Sequence, residues 1–174
     1  PADTAHQWCA DCLGPAAHLQ PRHAEGLLSM SQPFDIQMVI DRLRSVEQLQ
    51  SVQGASEYAA VTSIKDFRTP CAYVVLLDER ADDALTKPGG RQRAIVSFGV
   101  MVAARNYGDQ RGEKTTAETR PLLGAIRARL MGWTPEVPGA RPVQWSRGAV
   151  LDYDHSTLLW TEVYTTQHFI GGAP

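Results

Sequence analysis

Residues 92–106 form the longest run in this chain with the alternating side-chain pattern of a β-strand. A period of two with one strongly apolar face is typical of a strand whose two faces have different environments. We therefore predict that the large, β-branched face is buried against helices and that the smaller, mixed face is half-covered at most. The large face comprises Ala94, Val96, Phe98, Val100, Val102 and Ala104, and the mixed face comprises Ile95, Ser97, Gly99, Met101 and Ala103.

The rest of the chain supplies helices and further strands to pack around this central strand. The order helix, helix, strand, strand, helix, strand, strand predicts an α+β domain, with a mainly antiparallel four-stranded sheet and helices packed on one face. Helical periodicity marks 34–50, 55–64 and 112–133, the last with Pro121 expected in its first turn, and strand patterns mark 71–77, 92–106, about 143–151 and 157–169.

Residues 78–91 form a charged segment between the first two predicted strands. The segment is longer than a hairpin needs, and long loops in compact domains tend to be functional. Its mixed charge suits contacts between protein surfaces better than DNA binding. We therefore predict a long loop that contacts a neighbouring protein.

Residues 1–33 have a different character and are expected to form an irregular N-terminal extension, with the main domain spanning 34–174. The extension holds Cys9, Cys12, His18 and His23, and Zn²⁺ favours four such ligands in a tetrahedron. The gap between the cysteine and histidine pairs is shorter than in ordinary two-Cys two-His fingers. We predict that these four residues bind one zinc ion. The alternative is an extension with incidental Cys and His that packs on a neighbour.

Composition limits the classes of function. The chain has 174 residues, a formal net charge of −2 and three cysteines, an odd number that favours a reducing compartment over a disulfide framework. No apolar run has the length of roughly 18 residues that a membrane span needs, and no secretory signal is expected. The near-neutral charge argues against tight nonspecific binding to nucleic acid.

Other residues with chemical potential have structural interpretations. Asp152, Asp154 and His155 could form an acid/base cluster, but the pattern is more typical of a polar hairpin turn. Cys71 and His168 are expected in the core or at an edge of the sheet. The remaining candidates are Trp133, Trp145 and Trp160, which are expected in the core, although one at an alternating strand position could anchor a subunit contact.

From residue 30 to residue 170 the chain resembles the tail terminator, or tail completion, proteins of long-tailed bacteriophages. The order of several motifs carries the resemblance, whereas the first 29 residues have no counterpart in it. The motifs are Phe34-Asp35-Ile36, Val39-Ile40-Asp41-Arg42-Leu43, Thr69-Pro70-Cys71-Ala72-Tyr73-Val74, Phe98-Gly99-Val100, Ala104-Arg105-Asn106 and Leu130-Met131-Gly132-Trp133-Thr134-Pro135.

The resemblance implies a virion structural protein without enzymatic activity. Such a protein forms a homohexameric ring on the head-proximal end of the tail, assembled in the host cytoplasm. Its partners would be the tail tube protein and the head–tail connector or neck protein, and genomic DNA would pass through without specific binding. Two alternatives are a zinc-binding nucleic-acid module, based on the Cys and His quartet, and an enzyme, based on the residues around Asp152.

The zinc hypothesis has a direct test. A segment with few apolar residues is ordered by metal binding only if the metal is present in the purified protein. We expect elemental analysis to find about one zinc ion per chain, and the Cys9→Ser, Cys12→Ser double variant to find none. Less than about a tenth of a zinc ion per chain in the parent protein would rule out the site.

Overall fold

The computed structural model describes residues 32–82, 91–105, 113–154 and 156–171, with the backbone alone for 113–118. Three helices and five strands make up these ranges, together with a single 3-10 turn at Ile64–Asp66. The helices are α1 (Gln37–Leu43), α2 (Ala55–Ala59) and α3 (Glu113–Leu130), and the strands are β1 (Ser51–Gln53), β2 (Cys71–Ala81), β3 (Arg91–Arg105), β4 (Gln144–Tyr153) and β5 (Thr157–Gly171).

The strands form one sheet in the order β1-β2-β3-β5-β4. β1 pairs with β2 in parallel, whereas every other pair of neighbours is antiparallel. The predicted α+β class is confirmed, but the predicted four-stranded antiparallel sheet is wrong, because the sheet has five strands and is mixed. The sequence analysis missed β1 because its three residues, with Val52 alone apolar, are too short to show a period.

The two faces of β3 lie as its alternation predicts. Val96, Phe98, Val100 and Val102 are fully buried in the main core, beneath side chains of α1 and α3. On the other face a smaller cluster around Met101 covers one end of the strand only, and Ile95 and Ser97 stay partly exposed. The helix-covered face of the sheet is therefore the main core. Its helical residues are Val39, Ile40, Leu43, Leu122, Leu123, Ile126 and Leu130.

Three aromatic rings form a stack through the centre of this core. The Phe98 ring lies 6.4 Å from that of Phe34 and 5.6 Å from that of Tyr164, measured between centroids, and the planes are nearly parallel. Phe34 precedes α1, Phe98 is on β3 and Tyr164 is on β5, so the stack joins three separate segments. Phe98 is completely buried between the other two rings.

Helix α1 is shorter than the predicted helix at 34–50. It ends at Leu43, where the Ser45 hydroxyl donates to the Arg42 carbonyl at 2.7 Å and competes with the regular backbone ladder. The Val46 N–H then bonds the Leu43 carbonyl at 2.9 Å, so the chain continues in tight turns. These turns still bury Val46, which is why the apolar periodicity extended beyond the helix. The second predicted helix, 55–64, is likewise reduced to α2.

The predicted loop at 78–91 is wrong over its first part. β2 continues through Ala81, past a register shift between Leu76 and Asp78, and its last residues pair with β3. Charged residues in this part of β2 hid the strand, because only alternate positions face the core. Residues 83–90 lie outside the described ranges, so the proposed contact of this segment with a neighbouring protein stays a prediction.

Helix α3 also begins earlier than its proline indicated. Pro121 lies inside the helix rather than in its first turn, and the helix starts at Glu113. Within the described ranges, no helix has both the length and the apolar character needed to cross a membrane.

The aromatic stack should dominate the stability of the core. We expect Phe98→Ala to lower the free energy of unfolding by about 3–5 kcal/mol, because it removes a buried ring and leaves a cavity. Met131→Ala is a matched control, since Met131 is 52% exposed, and should change stability by less than about 0.5 kcal/mol. Urea denaturation of the two variants measures both values, and equal midpoints would contradict the assignment of the buried face.

Candidate interaction surface

β4 is an edge strand with both of its faces open. Nine of its ten residues are exposed, and the tenth, Gly148, is half-buried. Several of the exposed side chains are large and apolar, although edge strands of stable monomers usually carry charges instead. Exposed apolar residues on a long edge are typical of a protein contact surface. They are Trp145, Val150, Leu151 and Tyr153, with exposed fractions of 40%, 48%, 49% and 74%.

Strand pairing places three of these four residues on the helix-covered face of the sheet. Trp145 pairs with Tyr164, Val150 with Trp160, and Tyr153 with Leu158. Their partners on β5 are covered by the core or by α3, whereas the β4 residues lie beyond the cover of the helix. The result is an apolar strip along the open side of α3, which we call the β4 strip and define as Trp145, Val150 and Tyr153.

A buried carboxylate lies beneath one end of the β4 strip. Glu162 on β5 is completely buried, and both of its oxygens accept hydrogen bonds from side chains. Arg127 on α3 donates to both oxygens, at 2.9 Å from Nε and 2.8 Å from Nη2. The Trp145 and Trp160 indole N–H groups each donate at 2.7 Å, and the Tyr164 hydroxyl donates at 3.2 Å. A buried charge is tolerated when it is paired and fully hydrogen-bonded, as here.

The charges of this cluster support one another. The hydrogen bond to Glu162 raises the pKa of Arg127. Burial raises the pKa of Tyr164 well above its usual range, and the negative charge of Glu162 adds to the effect. The tyrosine therefore stays protonated and acts as a donor at any physiological pH. The cluster is a carboxylate surrounded by donors and has no group with a pKa near neutrality that would favour acid/base chemistry.

A glycine makes room for this cluster. Gly148 on β4 pairs directly with Glu162, and a Cβ atom at position 148 would lie 2.7 Å from Glu162 Oε1 and 2.9 Å from the Trp160 ring. Both distances are below van der Waals contact, so any larger residue would displace the carboxylate or the indole. The glycine is needed for close approach and not for an unusual backbone conformation.

The Glu162 cluster holds two surface side chains in fixed positions. The Arg127 guanidinium lies 4.8–4.9 Å class distance from aromatic partners of this type, and here its Cζ is 4.9 Å from the centre of the Trp145 ring. Arg127 and Trp145 remain about two-fifths exposed, at 38% and 40%. An exposed Trp and Arg that are already ordered lose little entropy on binding, and both residue types are enriched at binding hot spots.

A second buried polar pair fixes the opposite end of the sheet. Nε2 of His168 on β5 lies 2.7 Å from Oε1 of Glu79 on β2, and the other Glu79 oxygen accepts the Phe34 backbone N–H at 3.0 Å. His168 is buried, as the sequence analysis allowed, and its ring also contacts Phe34. This pair anchors the segment before α1 to the sheet.

The predicted site residues have different outcomes. Cys9, Cys12, His18 and His23 lie outside the described residues, and among the described ones no group of three or more His, Cys, Asp or Glu could hold a metal. Oδ1 of Asp154 accepts the Ser156 and Thr157 backbone N–H groups at 2.7 Å, so the hairpin-turn interpretation of this segment is confirmed, with His155 outside the described ranges.

The aromatic and cysteine predictions also separate. Cys71 is a buried small side chain, as expected. Trp133 packs against the core with Arg42 over its ring, and Trp160 is half-buried, whereas Trp145 is exposed on the edge strand. The analysis did not anticipate Glu162. Its signal was present, since Trp160, Glu162 and Tyr164 alternate along β5 and place a charge between aromatic residues on one face.

Removing the charge of Glu162 should disturb the cluster without changing its size. In Glu162→Gln one oxygen becomes an NH₂ group that faces donors, so at least one buried donor loses its acceptor. We expect a loss of about 2–4 kcal/mol in the free energy of unfolding. The control Glu47→Gln, at an exposed position, should change it by less than about 0.5 kcal/mol. Equal stability of the two variants, measured by urea denaturation, would contradict the structural role of the cluster.

Comparison with known proteins gives this surface a biological context. Among solved structures, a chain in the "Virion of native gene transfer agent (GTA) particle" has a similar fold, with a TM-score of 0.50 and 18% sequence identity. The match covers 85% of this chain and 98% of that one. Comparison with curated protein sequences finds no match.

The sequence profile of a known family matches the chain from residue 30 to residue 174, and the description of that family is "Phage tail terminator protein". The matched span contains every described helix and strand. This protein therefore belongs to the phage tail terminator family.

Proposed function

We propose that the protein forms a hexameric ring that caps the head-proximal end of a phage tail tube, stops its polymerisation and joins the tail to the connector of the head. The observation that carries the proposal is the family match over residues 30–174. A fold shared with a chain of a gene transfer agent virion supports a place in a virion particle.

The surface of the subunit has the chemistry that such a role requires. A ring subunit on a tube contacts its two ring neighbours, the tube end and the connector, so several patches must be ready for protein contact. The β4 strip and the ordered Arg127–Trp145 pair supply apolar and aromatic contact area on one side of the subunit. Exposed apolar groups of this kind support assembly with other proteins rather than a solitary monomer.

Termination follows from an asymmetry between the two surfaces of a ring. A tube grows because each ring presents on one side what the next ring binds on the other. A different ring that matches the growing end on its tube-facing side, but not the tube protein on its far side, stops the growth. The far side is then available for the connector. This mechanism needs no catalytic group, and we propose that the protein is not an enzyme.

The charge of the subunit suits a passage for DNA. Each phosphate neutralised by Lys or Arg strengthens the hold of a protein on the duplex. A channel that DNA must traverse works best with few such contacts, and the net charge of −2 is compatible with that requirement. We also propose that the extension binds one zinc ion through Cys9, Cys12, His18 and His23, as an element separate from the ring function.

The proposal predicts the phenotype of a phage that lacks this protein. We expect tails of variable and excessive length, visible by electron microscopy, because nothing stops tube growth. These tails should fail to join filled heads, and the supply of the protein from a plasmid should restore both length and joining. As a control, a plasmid-borne Met131→Ala variant should restore both equally well, since Met131 is exposed and remote from the β4 strip.

A different phenotype would exclude this function. Tails of normal length joined to filled heads, in the absence of the protein, would contradict the proposal. The zinc-binding nucleic-acid module and the enzyme would then be the alternatives to pursue.

A further inference from the structure

The knob at the end of β4 and a groove on the opposite side of the sheet lie in the same row of residues. Tyr153 pairs with Leu158, and Leu158 pairs with Ala104 on β3. Ala104 lies next to Ala103, which pairs with Cys71, so the row continues to Pro70, whose carbonyl accepts the Gln50 N–H at 2.9 Å. One row therefore runs across the sheet from the β4 edge to the β1 edge.

The knob is the most exposed part of the β4 strip. Tyr153 is 74% exposed and Val150, on the same face, is 48% exposed. Carboxylates flank the ring of Tyr153 in the sequence, Asp152 before it and Asp154 after it. Asp152 is exposed, with one oxygen accepting the Tyr153 N–H at 2.8 Å. The knob thus combines an aromatic ring with negative charge.

The groove at the other end of the row has the opposite character. It has a volume of about 350 Å³ and lies between the start of β2, the end of β3 and the first half of α3. Pro70, Ala104, Pro121 and Leu122 supply an apolar floor, and Arg105 lies at its edge. Arg68 and Arg120, each adjacent in sequence to a lining residue, are also exposed. The groove is therefore apolar inside and rimmed by positive charge.

Position, shape and charge together identify the partner of the knob. In a ring, each subunit meets its neighbour through two different surfaces at the same height along the ring axis. A row that runs across the sheet has its two ends at the same height when the strands lie along that axis. We propose that Tyr153 and Val150 of one subunit dock into the groove lined by Pro70, Ala104 and Pro121 of the next copy of this chain.

The main alternatives fit the β4 edge less well. Direct pairing of β4 with another strand is hindered by its two register shifts, at Trp145/Arg147 and Val150/Asp152, because such irregularities interrupt the backbone ladder. Pairing of β4 with β4 of a second copy would give a two-fold dimer, which cannot close a larger ring. Docking of side chains into the groove avoids both problems, and opposite charges at knob and rim favour one orientation of the neighbours.

This inference depends on the proposed ring, and a photo-crosslinking experiment tests it in assembled tails. Tyr153 is replaced by p-benzoylphenylalanine, a photoreactive residue of related shape, and tails are assembled from an equal mixture of ¹⁴N- and ¹⁵N-labelled protein. We expect irradiation to produce dimers that contain both isotopes. Mass spectrometry should then locate the crosslink in a peptide that includes residues 69–70, 104–105 or 121–122. The same replacement at Met131 is the control and should not react with these peptides.

A second variant measures how much the contact contributes to assembly. Tyr153→Ser should raise the protein concentration needed to cap tails by about ten-fold or more, the range expected for a central aromatic contact. Met131→Ser should leave this concentration unchanged, since Met131 has a similar apolar exposure elsewhere. Circular dichroism of both variants confirms that they are folded before the comparison is made.

The outcomes separate this inference from the proposed function. Rings on tails with crosslinks from position 153 to the groove of another copy would establish both. Rings on tails whose crosslinks join position 153 to itself or to the tube protein would overturn the docking inference and leave the proposed function in place. Tails that contain no ring of this protein would overturn the proposed function and the docking inference with it.

Discussion

The structure depends on the burial of one face of β3 beneath two helices. Phe98 and its neighbours on that face must be covered, and α1 and α3 supply the cover from opposite ends of the chain. β5 pairs with β3 along the full length of both strands, from Arg91 to Arg105, so its residues are fixed in register with the same core. Tyr164 and Glu162 thereby face the helices, and β4, which pairs with β5 alone, is left beyond the reach of α3.

The open edge that results is supported from below by charge. Glu162 is costly to bury, and a hydrophobic residue in its place would be cheaper for folding alone. Its donors show what the carboxylate does here, because it orders Trp145 and Arg127, which are both partly exposed. A monomer gains little from an ordered Trp at its edge, whereas a subunit that must bind neighbours gains a preorganised contact. The same core that stabilises the domain thus prepares its surface for assembly.

The sequence predicted the elements that have a clear period and missed those that do not. The two faces of β3, the apolar stripe of α1 and the turn at Asp154 follow from local patterns. β1 was too short for a pattern, and the end of β2 was disguised by charges that pair across the sheet, such as Glu79 with His168. The Glu162 cluster and the groove at Pro70 join residues distant in sequence, so only the tertiary structure brings them together. The function came from the order of motifs and not from any chemical constellation.

The central claim is that this domain works as a ring at one end of a tail. Electron microscopy of purified tails that carry a labelled copy of the protein tests it most directly. The account predicts the label at the head-proximal end alone, in a single hexameric ring whose subunits meet through the β4 edge. Label distributed along the tube, at the distal tip, or absent from tails would contradict it.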